Sequence, residues 1–220
     1  MKRVLLAMFL SALALTLPQL AAAQTGAKSS DAEFLEAIEK GDWATVQQLL
    51  EKGANIEARG KGGYTALIAA SAMGKTDMVK LLLDKGAKTD PKDDRGDTAL
   101  HYAVMVNNID EAKLLLDKGA KVNVQEEGGF SPLMLSVVSG SPDLVKLLLE
   151  KGADTEARDK NGFTALMAAC GGGLTDIVKL LLEKGANVQA KSDDGTTALK
   201  LATNNGKTEV VKLLEEKGAK

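Results

Sequence analysis

The sequence predicts an all-α solenoid, a stack of short helix-turn-helix units joined by β-hairpin-like loops, and three observations carry that prediction. The pair Gly-Ala stands at Gly53, Gly86, Gly119, Gly152, Gly185 and Gly218, with every interval 33 residues. A second series keeps the same spacing: Thr65-Ala66-Leu67, Thr98-Ala99-Leu100, Ser131-Pro132-Leu133, Thr164-Ala165-Leu166 and Thr197-Ala198-Leu199. A third is the glycine two residues before it, at Gly63, Gly96, Gly129, Gly162 and Gly195. Three registers at one period define a repeat array, in which each unit buries its apolar faces only against its neighbours.

Each element of a unit has a physical reason, shown by residues 159–191. Asp159-Lys160-Asn161-Gly162 is turn chemistry, with glycine supplying positive φ. Thr164 offers a hydroxyl to cap a first helix; Ser131-Pro132 makes the same start with proline at the first helical position. That helix is rich in small residues (Ala165, Ala168, Ala169), which lets neighbouring helices approach closely. Gly173 ends it, and Thr175 is placed to cap a second helix. Ile177, Val178, Leu180, Leu181 and Leu182 give that helix a broad apolar face for packing on both sides. Gly185 then takes the left-handed position that closes a helix.

The ends of the array differ from its middle. Residues 31–59 form an opening helix pair with no turn before it, introduced by the capping-box pattern Ser30-x-x-Glu33. Ordinary units follow at 60–92, 93–125, 126–158 and 159–191, and residues 192–220 close the stack. Glu215 stands where the other units have Leu83, Leu116, Leu149 and Leu182, a charge suited to a face with no further unit against it.

Thr98-Ala99-Leu100-His101-Tyr102-Ala103, the Val-Lys-Leu-Leu-Leu run at 79–83 and the Gly-Ala-Asn-Val run at 185–188 resemble ankyrin repeats over residues 31–220. The family's Thr-Pro-Leu-His motif is degraded here, with proline kept only at Pro132 and histidine only at His101. These departures touch capping and local rigidity rather than the fold. The resemblance implies a non-enzymatic protein-binding scaffold, since ankyrin arrays take their partners through variable surface positions.

The amino terminus reads as an address. Lys2 and Arg3 precede an apolar run from Val4 to Leu17, and Ala21 and Ala23 supply the small residues of a cleavage site after Ala23. A membrane-spanning helix needs about 20 apolar residues, and Pro18-Gln19 interrupt this shorter core. A cleaved signal at 1–23, a flexible leader at 24–30 and a periplasmic or secreted monomer are therefore expected. Removal of the signal leaves 26 basic against 30 acidic residues, a balance that draws the protein neither to nucleic acid nor to anionic lipid.

Little else in the composition suggests chemistry. One histidine and one cysteine exclude a Cys/His zinc site and an intramolecular disulfide. Cys170 is expected to be buried, which suits an oxidising compartment. An enzyme would rest on His101, for which the resemblance implies a structural hydrogen-bonding role instead. Gly60-Lys61-Gly62-Gly63 and Gly171-Gly172-Gly173 complete no nucleotide fingerprint. Asp93-Asp94 and Asp193-Asp194 read as solvated turns, so neither cofactor nor metal is expected. The column Lys80, Lys113, Lys146, Lys179, Lys212 has an acidic residue at i+4 each time, a self-paired solvated face.

One surface stands apart. The residue after the turn glycine is Tyr64, Asp97, Phe130, Phe163 and Thr196, and this column holds three of the six aromatics beyond the signal. By resemblance it lies beside a concave groove, whose floor would include Met73, Met105, Val106 and Val138. Tyr64, Asp97, Phe130, Phe163, Met73, Met105, Val106 and Val138 are thus the candidate contacts for a protein partner. Packing between neighbouring hairpins is the competing role for the rings. An inhibitor or immunity-type protein blocking a secreted enzyme is a narrower form of the binding reading.

Overall fold

Hydroxyl caps set where the first helix of each unit begins. In the computed structural model, which describes residues 30–219, Thr65, Ser131, Thr164 and Thr197 accept the amides of Ile68, Met134, Met167 and Lys200 at 3.2–3.4 Å. The expected signal sequence, most of the leader and Lys220 lie outside the described residues. Twelve helices form six pairs: α1 Ser30–Lys40 with α2 Trp43–Glu51, α3 Ala66–Ala72 with α4 Thr76–Asp84, α5 Ala99–Met105 with α6 Ile109–Asp117, α7 Pro132–Ser139 with α8 Pro142–Glu150, α9 Ala165–Gly172 with α10 Thr175–Glu183, and α11 Ala198–Asn204 with α12 Thr208–Glu216. No strand occurs among the described residues; the hairpins at 59–65 and 191–197 carry single antiparallel bridges.

Two expected caps are displaced by one residue. Ser30 and Thr175 are the first helical residues of α1 and α10 rather than their caps. At α10 the cause is the left-handed Gly173, which turns the chain so that the Leu174 amide reaches the Ala169 carbonyl at 3.0 Å and Leu174 takes the cap position. Only α6 among the second helices of the ordinary units has a side-chain cap, from Asn108 to the Glu111 amide at 3.1 Å.

The inner helices α3, α5, α7, α9 and α11 pack side by side in chain order, each backed by its own outer helix. One continuous core runs from Phe34 to Leu214. Leu82, Leu115, Leu148, Leu181 and Leu214 occupy a single register and are all 0% exposed. Burying one such side chain stabilises the stack by about 1.5–3 kcal/mol. Of the three alanines expected to permit close approach, Ala165 and Ala169 are buried, one helical turn apart, while Ala168 faces solvent. Glu215 is exposed at the last helix, as its charge requires.

Polar contacts between units repeat as regularly as the core. Arg59, Lys92, Gln125 and Arg158 each donate a side-chain hydrogen bond to the carbonyl 33 residues on, at Lys92, Gln125, Arg158 and Lys191, over 2.6–2.9 Å. Glu57, Asp90, Asn123 and Glu156 each accept the amide 31 residues on, at Lys88, Lys121, Asp154 and Asn187, over 2.8–3.0 Å. The expected i+4 pairing of the lysine column is corrected. Asp84 and Asp117 instead meet Lys118 and Lys151 of the following unit at 2.8 and 2.6 Å. Each acid ends its outer helix and reaches sideways to the next one, and hydrogen bonding by that lysine holds its carboxyl below the usual range.

The hairpins touch through backbone. The amides of Asp94, Glu127, Lys160 and Asp193 donate to the carbonyls of Gly62, Arg95, Gly128 and Asn161 at 2.8–3.0 Å. This approach explains the turn glycine: at Gly129, φ is +85° and an added Cβ would lie 2.8 Å from the Cα of Asp159. Gly129→Ala therefore meets both backbone strain and a backbone clash, and is expected to lower the unfolding free energy by about 1–3 kcal/mol in urea denaturation. A loss of only a few tenths would mean that the 159–160 backbone yields.

Candidate functional site

The candidate contact residues divide into frame and surface. Tyr64 is half-buried and its hydroxyl lies 2.8 Å from that of Tyr102 on α5, with ring centroids 5.7 Å apart. Tyr102 is 2% exposed. Its hydroxyl donates to Asp93 Oδ2 at 2.7 Å and accepts from Arg95 Nη2 at 2.5 Å. A phenol has one proton to give, and Asp93 receives it, so Tyr64 is the donor to Tyr102. Burial and the bonds to Tyr64 and Asp93 push the Tyr102 hydroxyl well above its ordinary pKa, against the opposing charge of Arg95. Tyr64 therefore ties the 60–92 hairpin to the 93–125 unit, the packing role that competed with partner contact.

Asp97, expected in the same exposed column, is 4% exposed. Its Oδ2 lies 3.4 Å from Arg95 Nη2, and its Oδ1 has no hydrogen-bond partner. Asp93 is not the solvated turn residue expected. It is 7% exposed, and its Oδ1 accepts the amides of Arg95 and Asp97 at 2.9 Å each. The same position works likewise in other hairpins, where Glu126 accepts the Phe130 amide at 2.9 Å and Asp159 the Phe163 amide at 2.8 Å. Asp94, Asp193 and Asp194 are exposed; hydrogen bonds from Ser192 and Thr196 hold the Asp194 carboxyl below its usual value.

Phe130 and Phe163 are half-buried against the core, as are Met73 and Met105. Val106 is half-buried, and Val138, at 36%, is the most open of the eight. Trp43 on α2, which the sequence reading did not single out, is 37% exposed. Met73 and Val106 line an open cleft of about 620 Å³ with Ala72, Gly74, Asn107 and Asn108. Asn107 holds φ +55°, the sole non-glycine residue with positive φ among the described residues. The sequence carries a signal for this: Asn107 stands in a column otherwise made of Gly74, Gly140, Gly173 and Gly206. Arg95 and Tyr102, which hold Tyr64 in place, carry no periodic signal of their own, whereas Asp93 shares an acidic column with Glu126 and Asp159.

His101 is 0% exposed. Its Nδ1 accepts the Thr98 amide at 3.1 Å and lies 2.9 Å from the Thr98 hydroxyl, so the ring closes the start of α5. Burial pulls its pKa down to about 4, against the upward influence of the Phe130 backbone, and keeps it neutral. A shut-in, neutral imidazole offers substrate no approach, which argues against the enzyme reading. Cys170 is 0% exposed and unpaired, and burial pushes its thiol up to about 12. Among the described residues no group of three His, Cys, Asp or Glu side chains is placed to hold a metal ion, and no helix is long and apolar enough to cross a membrane.

A family model for ankyrin repeats (three copies) matches residues 34–126, 85–159 and 133–220. The chain belongs to the ankyrin-repeat family. No curated protein matches it. Ankyrin repeats generally mediate protein–protein interaction and are typically non-enzymatic scaffolds, so the family points to a protein partner. This ankyrin array uses Tyr64 and Asp97 in its frame and leaves the inner-helix ends at 105–106 and 138 more open. Tyr102→Phe removes the proton donor to buried Asp93, whereas Tyr64→Phe removes only the outermost bond. The first is expected to lower stability by about 1–3 kcal/mol and the second by about 0.5–1.5 kcal/mol. The reverse order in thermal or urea unfolding would contradict the network as described.

Proposed function

We propose that this array is an exported protein-binding module that receives its partner across the inner-helix ends of units 60–158. The observation that carries the reading is the apolar strip formed by Met73, Met105, Val106 and Val138. Three of its members are half-buried and Val138 is exposed, and Met73 and Val106 face the cleft at 72–74 and 106–108. Such residues supply contact area without charge to desolvate. A surface preformed on a stack of rigid units loses little entropy when it docks. Phe130 and Phe163 are half-buried on their hairpins, while Tyr64 and Asp97 are held in the frame by Tyr102 and Arg95. Export, to the periplasm or beyond the cell, rests on the Lys2-Arg3 and Val4–Leu17 pattern with Ala21 and Ala23.

Two measurements test this reading. Cross-linking in the native compartment is expected to capture one dominant protein, and Val106→Asp/Val138→Asp should reduce that capture about tenfold or more, as two charges forced into an apolar contact would. Because both side chains are at least partly open, the double variant should keep its unfolding midpoint close to that of the parent. Undiminished capture by the folded variant would rule out the strip. Amino-terminal sequencing of the protein from an envelope extract should begin at Gln24; a chain retained in the cytoplasm with Met1 in place would remove the export part of the proposal.

A further inference from the structure

The outer helices share a register that places Met78, Leu144, Ile177 and Val210 in the core, each no more than 1% exposed. In α6 that register holds Glu111, which is 0% exposed. Its Oε2 accepts from Thr76 Oγ1 at 3.3 Å and from Asn108 Nδ2 at 3.2 Å, while Oε1 has no partner. The groups that face it are Ser71 of α3, Thr76 of α4 and Asn108 before α6. No charged side chain on these elements, or on α8 behind it, acts on it. The buried Ser71 hydroxyl meets no partner at hydrogen-bond distance, yet with Thr76 it pulls the carboxyl's pKa down against the larger effect of burial.

The same unit encloses a second incompletely satisfied carboxyl, Asp97, in its hairpin. The charged groups that face Asp97 are Asp93 and Arg95 of its own hairpin, Lys92 just before it and Glu126 of the next hairpin. Asp93, the other buried acid among the described residues, has donors on both oxygens. A buried carboxylate lacking a full set of partners destabilises the state that buries it, and a proton removes that penalty.

We propose that the 93–125 unit is a pH-responsive joint in the array, packing tightest against its neighbours in mildly acidic solution and loosening as the solution passes neutrality. Protonated, Glu111 behaves as a polar but neutral core residue bridging α4 and α6. Ionised, it places an uncompensated charge between two stacked units. Asp97 adds a second charge at the hairpin end.

The direction follows from proton binding. Burial, the largest cause at both sites, pushes Glu111 and Asp97 up to about 7 from 4.5 and 3.8. Between those limits the folded chain holds protons that the unfolded chain has released, so stability falls as pH rises through the window. The contribution is complete below the unfolded values and lost above about 7. His101 acts in the opposite sense, since its pKa is pulled from 6.5 to about 4 and its neutral form favours the fold as pH rises. A comparison of wild type with a Glu111 variant at each pH cancels the histidine.

Urea unfolding of the whole protein and of Glu111→Gln at about pH 5.5 and about pH 8 is the test. The unfolding constant of wild type, relative to the variant, should rise by about tenfold or more between the two. Should Glu111→Gln fold poorly, Glu111→Leu, which copies Leu144, takes its place, and its stability advantage over wild type should be larger at the higher pH. Carbon-13 NMR titration of the Glu111 carboxyl should show a midpoint near 7. A ratio that does not change with pH, or a Glu111 midpoint near 4.5, overturns the proposal.

Discussion

The units of this protein complete their loops on one another. Arg59, Lys92, Gln125 and Arg158 find their carbonyls one unit further on, and Glu57, Asp90, Asn123 and Glu156 find their amides there. The leucine register shows the same dependence in apolar form, because a nine-residue helix with leucines facing both neighbours has nothing of its own to bury them against. Everything else in the structure depends on this requirement for a neighbour. It enforces the 33-residue spacing, since a one-residue change would break both polar columns and rotate the leucines out of register together.

That constraint also sorts the candidate surface. Tyr64, near a unit boundary, is recruited into the joint by bonding across it to Tyr102, whereas Asp97 is held within its own hairpin beside Arg95. At the carboxyl ends of the inner helices Met73, Met105 and Val106 are half-buried. Val138, at the same end of its helix, is 36% exposed. The Tyr64–Tyr102 pair therefore stiffens the joint, and the aliphatic and thioether side chains are the ones proposed to meet a partner.

Much of this was legible in the residues. Period, caps at Thr65, Ser131, Thr164 and Thr197, and the exposed Glu215 all followed from local chemistry that repeats. What could not be read was contact across units at positions of variable chemistry. Arg59, Lys92 and Gln125 share a column, yet three different side chains hide the common task of reaching a carbonyl. Asp93 looked like a turn acid because only the fold shows Tyr102 above it. Asp84 stands four residues after Lys80 and invites an i+4 pair, whereas in the stack the next helix brings Lys118 closer. The lone glutamate in the Met78, Leu144, Ile177, Val210 register was visible as a break in a pattern, but its burial needed the neighbouring helices.

The two polar columns point the same way along the chain: in each, side chains of one unit serve the backbone of the unit after it. The stack is thus chemically polarised, like a row of shingles fastened from one side. During vectorial synthesis a unit can fold its helices as soon as it emerges, but its loop stays unlatched until the following 33 residues arrive. The growing end is always the loose one, and a truncation anywhere in the array would strand donors on the last unit kept while leaving every earlier latch intact.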